Sequence, residues 1–193
     1  ALRDLEIRGA GNVLGADQHG HMEAVGYEMY CKLLSEAVSQ LKGQTSVPEI
    51  QTVISLNVNA YIPKDYITGE NYRIEAYKKI ASIENQQDYM DVYDEIQDRY
   101  GNVPGSVSKL LDIALIKSYA TSLGIEEIRQ TKNAVIFTYS QSMPPDIKVI
   151  SELLKNESKG LMFSAGTKPY ITLKHKGKDL LSNIKSLLQK YKQ

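Results

Sequence analysis

The 193-residue sequence has one cysteine, no tryptophan and no net charge. Cys31 alone cannot form an internal disulfide, which makes a reducing compartment such as the cytoplasm the natural setting. Lys+Arg and Asp+Glu residues number 23 each, so the strongly basic character of an independent DNA-binding protein is missing. No apolar run approaches the roughly 20 residues that a membrane-spanning helix needs. These absences predict a cytoplasmic chain without a membrane partner.

Sequence patterns that carry catalysis are also scarce. His19 and His21 match no spacing of a zinc site, and no GxSxG, HExxH or CxxC pattern occurs. The composition, with 42% hydrophobic and 24% charged residues, is that of a chain with a packed core. We therefore expect a globular protein with no catalytic residue, no metal site and no cofactor of its own.

Glycine, by contrast, is concentrated near the start of the chain. Five of the 13 glycines fall between Gly9 and Gly26, beside Arg3 and Arg8. Such a density indicates a tightly bent backbone, and it raises the possibility of a phosphate-binding loop. A turn-rich connector before a helix is also compatible with these residues, but it leaves the two arginines unexplained.

Two phosphate-binding patterns can be tested here. Gly15 and Gly20 have the glycine spacing of a Walker A loop, but His21 and Met22 follow where Lys and Ser or Thr are required. A dinucleotide-binding fingerprint is also missing, because three residues separate Gly15 from the preceding glycine where the pattern has two, and no buried strand comes before it. The spacing therefore disfavours both nucleotide sites.

The next segment has helical periodicity. Apolar residues from Met22 to Leu41 form one stripe, and Gly43 is suited to cap a helix at its C-terminal end. The polar connector that follows predicts a domain boundary. The predicted domains are residues 1–43, a glycine-rich loop with a long amphipathic helix, and residues 44–193.

The second domain has mixed signals that predict an α+β fold: a small, mainly antiparallel sheet with several packed helices. Alternating residues from Ile54 to Ala60 indicate a half-buried strand. Ile74, Tyr77, Ile80 and Ile83 mark the inward face of a helix. The remaining predicted elements are helices ending at Tyr100, Leu123, Leu154 and Tyr191, a hairpin of 125–130 with 134–139, and a strand pair of 161–163 with 171–173.

Charge within this domain is uneven. Six acidic residues fall between Glu84 and Asp98, and seven lysines against Asp179 alone fall from Lys168 to the end. Runs of this kind are usually solvated faces of helices or strands. The acidic run is our candidate for a regulatory contact surface.

The opening residues resemble a translocation motif that transcription-repair coupling factors (the Mfd family) share with RecG branch-migrating helicases. The residues that carry this resemblance are Arg3-Asp4-Leu5 and Arg8-Gly9-x-Gly11-x-x-Leu14-Gly15-x-x-Gln18-x-Gly20. Several later motifs resemble the coupling factors alone: Val25-Gly26-Tyr27, Ala60-Tyr61-Ile62-Pro63, Arg73-x-x-x-Tyr77, Asp98-Arg99-Tyr100-Gly101-x-x-Pro104 and Leu110-Leu111-x-Ile113-Ala114. The resemblance covers about residues 2–140.

The resemblance implies roles for the first 43 residues. In these translocases the segment ends the second motor domain, and its arginine and glutamine couple ATP hydrolysis to movement on double-stranded DNA. Arg8 and Gln18 become the coupling residues. The residues that would shape the loop are Gly9, Gly11, Gly15 and Gly20. The chain departs from the pattern at His19, where many members have Ser.

For the whole protein, the resemblance implies an ATP- and Mg-dependent double-stranded DNA translocase that displaces stalled RNA polymerase and recruits the excision-repair protein UvrA. The C-terminal domain then packs on a UvrB-like N-terminal module and restrains it. This chain would be a non-enzymatic part of such a protein, an autoinhibitory protein-interaction element that contacts the parent's motor and N-terminal module.

Two alternative functions belong to other classes of protein. The first is a DNA-contacting accessory module that uses the lysine-rich C-terminus and the Arg8 loop, and it predicts an affinity that falls steeply with salt. The second is a small-molecule enzyme, which would need a concave pocket with convergent polar groups.

Overall fold

Five strands form one sheet in the order β1-β2-β3-β5-β4 in the computed structural model, which describes residues 50–156, 160–175 and 179–192. The strands are β1 Val53–Ser55, β2 Ile125–Gln130, β3 Ala134–Tyr139, β4 Leu161–Ser164 and β5 Tyr170–Lys174. β1 runs parallel to β2, and the other three neighbouring pairs are antiparallel. The predicted α+β class with a small, mainly antiparallel sheet is confirmed.

Helices join these strands. Those in the described ranges are α1 Glu70–Ala81, α2 Gln86–Tyr100, α3 Gly105–Ser122, α4 Ile147–Asn156 and α5 Leu180–Lys192. α3 is the centre of the core, because it contacts α1, α2, α5 and β2. Its sequence explains this position: eight of its 18 residues are buried, distributed around the helix, as expected of a helix covered on several sides.

One face of the sheet is buried and the other is open. Phe137 pairs with Ile128 on one side and Ile171 on the other, and all three side chains are buried. Ile136 is offset by one residue and therefore points away from the core, where it is only partly covered. The helices cover the buried face, since α3 contacts β2 and α4 contacts β4.

Local signals in the sequence place the helix ends. The Asn85 side chain accepts hydrogen bonds from the backbone N–H groups of Gln87 and Asp88, which caps the start of α2. Gly101 ends α2 with φ of 85°, a value that favours glycine. Asp146 accepts a hydrogen bond from the Lys148 backbone N–H at 2.8 Å and so caps the start of α4.

Two details of the sequence prediction were wrong. The strand predicted over Ile54–Ala60 is shorter, because only Val53–Ser55 pairs with β2, although exposure still alternates as far as Ala60. Ile74 was expected to point inward, but its side chain is 43% exposed. The reason is geometric: α1 buries Ala76 and Ile80, and a residue two positions before Ala76 lies about 200° around the helix from it.

The parallel β1–β2 pair is anchored by a buried hydroxyl group. Thr52, just before β1, donates to the Ile125 carbonyl at 2.7 Å and lies 2.8 Å from the Thr121 hydroxyl. Its side chain is 4% exposed. Since a buried hydroxyl needs partners, this contact ties the entry of β1 to the α3–β2 junction.

Candidate interaction surface

Three carboxylates form a stripe on the solvent side of α2. Asp91, Asp94 and Asp98 recur at intervals of three and four residues, which places them on one helix face about 10 Å long. All three side chains are exposed. In the ranges that the structure describes, none has a basic partner within ion-pair distance. We call these residues the acidic stripe.

The start of α2 is held rigidly. The Asp88 carboxylate accepts hydrogen bonds from the Glu84 backbone N–H at 2.9 Å and from the Asn85 side-chain amide at 3.0 Å. The Asn85 side chain satisfies the N–H groups of Gln87 and Asp88, which a helix start leaves free, and Asp88 binds back to the two residues before the helix. Gln87 also donates to Asp91 at 2.8 Å. The stripe therefore begins on a fixed scaffold.

Beside the stripe lies a compensated charge network. Lys79 of α1 hydrogen-bonds Glu95, and Arg99 contacts Glu75 at 3.4 Å and Glu95 at 3.3 Å. The hydrogen bond from Lys79 is the main reason that the pKa of Glu95 is lowered. Glu95 is thus held ionised and is already neutralised within the domain, unlike the stripe.

The network is continued by an aromatic contact. The Arg99 guanidinium lies 5.3 Å from the centre of the Tyr100 ring, and Tyr100 packs edge-on against Tyr66 at 6.2 Å. The Tyr66 hydroxyl donates to the Gly101 carbonyl at 2.9 Å. A small cleft between α1 and α2 is lined by Ala76, Lys79, Glu95, Ile96, Arg99 and Tyr100. These contacts connect the C-terminal end of α2 to α1 and to the loop that carries Tyr66.

A second polar cluster connects α2 to α3 and α5. Lys185 of α5 donates to Asp112 of α3 at 2.6 Å and lies 5.1 Å from the Tyr89 ring of α2. Burial, followed by the neighbouring Asp112 carboxylate, raises the pKa of Tyr89 to about 12. Because Asp112 and Lys185 are largely covered, this cluster contributes to holding α5 and α2 on α3.

Several lysines of the C-terminal part are engaged inside the domain. Lys168 contacts Glu126 at 2.9 Å, Lys185 contacts Asp112, and Lys192 lies 4.9 Å from the Tyr119 ring. Of the lysines that the structure describes in the lysine-rich run, these three are therefore not free to form the cationic face that the DNA-contacting alternative requires.

The residues predicted to couple ATPase activity to movement lie outside the described residues. This holds for Arg8 and Gln18, and for the loop glycines Gly9, Gly11, Gly15 and Gly20. The predicted domain boundary at 43/44 also lies outside them. Among the described residues, no group of three or more His, Cys, Asp or Glu side chains is arranged to hold a metal ion. Every helix in those ranges is too short or too polar to cross a bilayer.

The sequence indicated the acidic run but not which of its carboxylates have basic partners within the domain. The Glu95–Arg99 pair has the i, i+4 spacing that could have been recognised in the sequence. The contact of Lys79 with Glu95 joins two helices, and no local spacing predicts it. The stripe could be separated from the compensated carboxylates only with the structure.

Comparison with known proteins identifies the family. Residues 56–150 match the TRCF domain model. The transcription-repair-coupling factor of Bacillus subtilis (strain 168) is 40% identical over 148 residues, covering 76% of this chain and 13% of that protein. The one from Staphylococcus haemolyticus (strain JCSC1435) is 33% identical over 196 residues, covering 98% of this chain and 16% of that protein. The chain thus spans a small part of the length of these relatives.

A solved structure gives the same indication at the level of the fold. The crystal structure of a C-terminal domain of transcription-repair coupling factor matches with a TM-score of 0.64 and 23% identity, covering 74% of this chain and 90% of that one. The domain match, the identities and the shared fold together lead to one conclusion. The chain belongs to the transcription-repair coupling factor family, and its described part has the fold of that family's C-terminal domain.

Proposed function

We propose that this chain is the C-terminal part of a cytoplasmic, ATP- and Mg-dependent double-stranded DNA translocase that removes stalled RNA polymerase and recruits UvrA for excision repair. The described domain is its autoinhibitory element, which binds the parent's UvrB-like N-terminal module and restrains UvrA recruitment. The family match and the motif resemblance support this role. The chain itself hydrolyses no ATP, because the motor sites belong to other parts of the parent.

The acidic stripe is the observation that carries the binding role. Asp94 and Asp98 are exposed carboxylates without a basic partner in the described part of the chain, and they stand on a helix fixed at both ends. A rigid surface of one sign favours a partner of the opposite sign, since complementary charge steers association and selects the partner. The partner surface should therefore present Arg or Lys side chains.

The first 43 residues have a different role in this proposal. They transmit ATP hydrolysis in the parent's motor to movement on DNA, with Arg8 and Gln18 as the coupling groups and the glycines as the residues that shape the loop. This role rests on the resemblance of the opening motif alone.

The test is binding of the chain to the parent's purified N-terminal module, measured by isothermal titration calorimetry. We expect the double variant Asp94→Lys/Asp98→Lys to bind about 10–100-fold more weakly, because it places like charges opposite each other. The matched control is Asp65→Lys/Glu152→Lys, which makes the same change in net charge at exposed acids away from α2. Wild-type affinity in the stripe variant, or an equal loss in the control, would remove the stripe from the interface.

A further inference from the structure

β4 lies at one edge of the sheet. It pairs with β5 from Leu161 opposite Leu173 to Ser164 opposite Tyr170, and no register shift interrupts this pairing. On its other side β4 has no neighbouring strand in the described part of the chain. An edge of this kind is a template for a further strand unless some feature blocks it.

The hydrogen bonds between β4 and β5 show which backbone groups face the free side. The Lys174 N–H donates to the Gly160 carbonyl at 2.8 Å, so these opposite residues form a hydrogen-bonded pair. Such pairs recur at every second residue of an antiparallel ladder, and Met162 therefore also bonds to β5. Leu161 and Phe163 are the positions in between, so their N–H and C=O groups point away from β5. We call these outward groups of Leu161 and Phe163 the β4 edge.

The ladder between β3 and β5 has the complementary pattern. The Tyr139 N–H donates to the Pro169 carbonyl at 2.9 Å, and the His175 N–H donates to the Asn133 carbonyl at 3.1 Å. The odd-numbered residues of β5 therefore bond to β3, which leaves the even-numbered ones for β4. This agrees with the assignment of the outward groups to Leu161 and Phe163.

The sequence of β4 lacks the features that usually block an edge. Natural edge strands are protected by Lys or Pro, by a bulge or by being very short. Residues 160–166 contain no charged residue and no proline. β1, at the opposite edge, is only three residues long, and the Gln130 side chain occupies the Asn57 N–H just beyond it at 2.8 Å. Of the two edges, β4 is the better suited to receive a strand.

Met162 adds an exposed apolar side chain to this edge. It is 57% exposed and lies on the open face of the sheet, opposite Thr172 of β5. Leu161 and Phe163 point to the other face, where they pack against the core. A strand added to β4 would therefore cover Met162 on one face and extend the apolar layer on the other.

The properties of this edge favour a second copy of the chain as the partner. A two-fold axis brings each residue near its own copy, where like charges would repel, and an uncharged segment avoids this repulsion. An axis at Met162 places Leu161 opposite Phe163 of the second copy, and Phe163 opposite Leu161. These are the residues whose N–H and C=O groups face the free side, so this register gives all of those groups partners.

We propose that two copies of the chain associate by antiparallel pairing of their β4 strands, which joins their sheets into one. The Met162 side chains meet at the two-fold axis on the open face. Stable complexes bury about 1,200–2,000 Å², and a strand of four residues supplies less, so the association is weak, with a Kd of about 10 µM to 1 mM. The contact does not involve α2, and it can therefore fail or hold independently of the role proposed for the acidic stripe.

The first test is sedimentation velocity of the 193-residue chain between about 10 µM and 1 mM. We expect the average mass to rise with concentration towards that of a dimer. Met162→Lys should weaken the association about tenfold or more, because it places two ammonium groups opposite each other at the axis. The matched control, Met90→Lys, makes the same change at a methionine of α2 that is 51% exposed, and it should behave as wild type.

A cross-linking test reports the register. In a Cys31→Ser background, Met162→Cys places two thiols in a non-hydrogen-bonded pair whose Cα atoms are about 4.5 Å apart, within the range of a disulfide. Ser164→Cys is the control on the same face, but its two copies would lie about 14 Å apart. Mild oxidation should therefore give a covalent dimer of the first variant and not of the second.

The outcomes separate the alternatives. A dimer that Met162→Lys disrupts and Met90→Lys does not, with cross-linking at position 162 alone, supports the proposal. A wild-type chain that stays monomeric up to about 1 mM would overturn it. An equal loss in both lysine variants, or equal cross-linking at position 164, would overturn the pairing of β4 with its copy.

Discussion

Gly124 is the position where the structure predicts the sharpest effect of adding a single methyl group. It joins the end of α3 to β2 with φ of 78°, a left-handed value that residues with a side chain rarely adopt. A Cβ atom added there would lie 2.5 Å from the Met143 carbonyl oxygen. That oxygen is backbone, in a segment where the Met143 N–H donates to the Ser140 carbonyl and two prolines follow. The neighbour therefore cannot move aside easily.

The loss in free energy of unfolding expected for Gly124→Ala has two parts. A left-handed conformation costs a residue with a Cβ atom about 1–2 kcal/mol. Forcing a close contact in packed surroundings typically costs about 1–3 kcal/mol more. The sum of about 2–5 kcal/mol is a large share of the roughly 5–15 kcal/mol that stabilises a domain. For a chain of this size it corresponds to a fall in Tm of roughly 4–20 °C.

The assay is urea denaturation of the chain followed by circular dichroism, with the free energy of unfolding extrapolated to water. Gly105→Ala is the control. It lies at the start of α3, an added Cβ atom would meet nothing within 4 Å, and its φ is not in the positive range. We expect the control to be unchanged or stabilised by up to about 1 kcal/mol. A Gly124→Ala variant within about 0.5 kcal/mol of wild type would refute the reasoning.

Two further predictions concern Tyr89 and the first 43 residues. The folded state raises the pKa of Tyr89 from 10.0 to about 12, so the neutral hydroxyl contributes stability below pH 10 that is lost as the pH rises to 12. The urea concentration at the midpoint of unfolding should therefore decrease less between about pH 9 and pH 11 in Tyr89→Phe than in wild type. An equal decrease in the two proteins would contradict the contribution of Tyr89. In the intact parent, Arg8→Ala or Gln18→Ala should leave ATP hydrolysis largely intact and abolish movement along DNA. Loss of nucleotide binding in these variants would count against a coupling role.

Much of the fold was predictable because its signals are local. The β2–β3 hairpin was predicted with the bounds that the structure has, from two apolar strands around a short polar turn. α2 was delimited by Gly101, and α4 by Asp146, each of which acts through its own backbone or side chain. Such features need no knowledge of distant parts of the chain.

The order of the strands was not predictable in this way. β1 joins the sheet parallel to β2 across about 70 intervening residues, and β5 inserts between β3 and β4. Both pairings depend on the packing of helices against the buried face, which periodicity does not encode. The exposure of Ile74 could not be predicted for the same reason. The apolar spacing of α1 is the same whichever face of the helix packs against the rest of the domain.

In the candidate interaction surface, too, local features could be predicted from the sequence and contacts between distant residues could not. Composition indicated an acidic run from Glu84 to Asp98 but could not separate its members. The structure assigns Asp88 to a helix cap and Glu95 to Lys79 and Arg99, and it places Glu84 before the helix. The three acids that are left, Asp91, Asp94 and Asp98, have no basic partner in the described part of the chain. The functional hypothesis thereby narrows from six acids to the stripe.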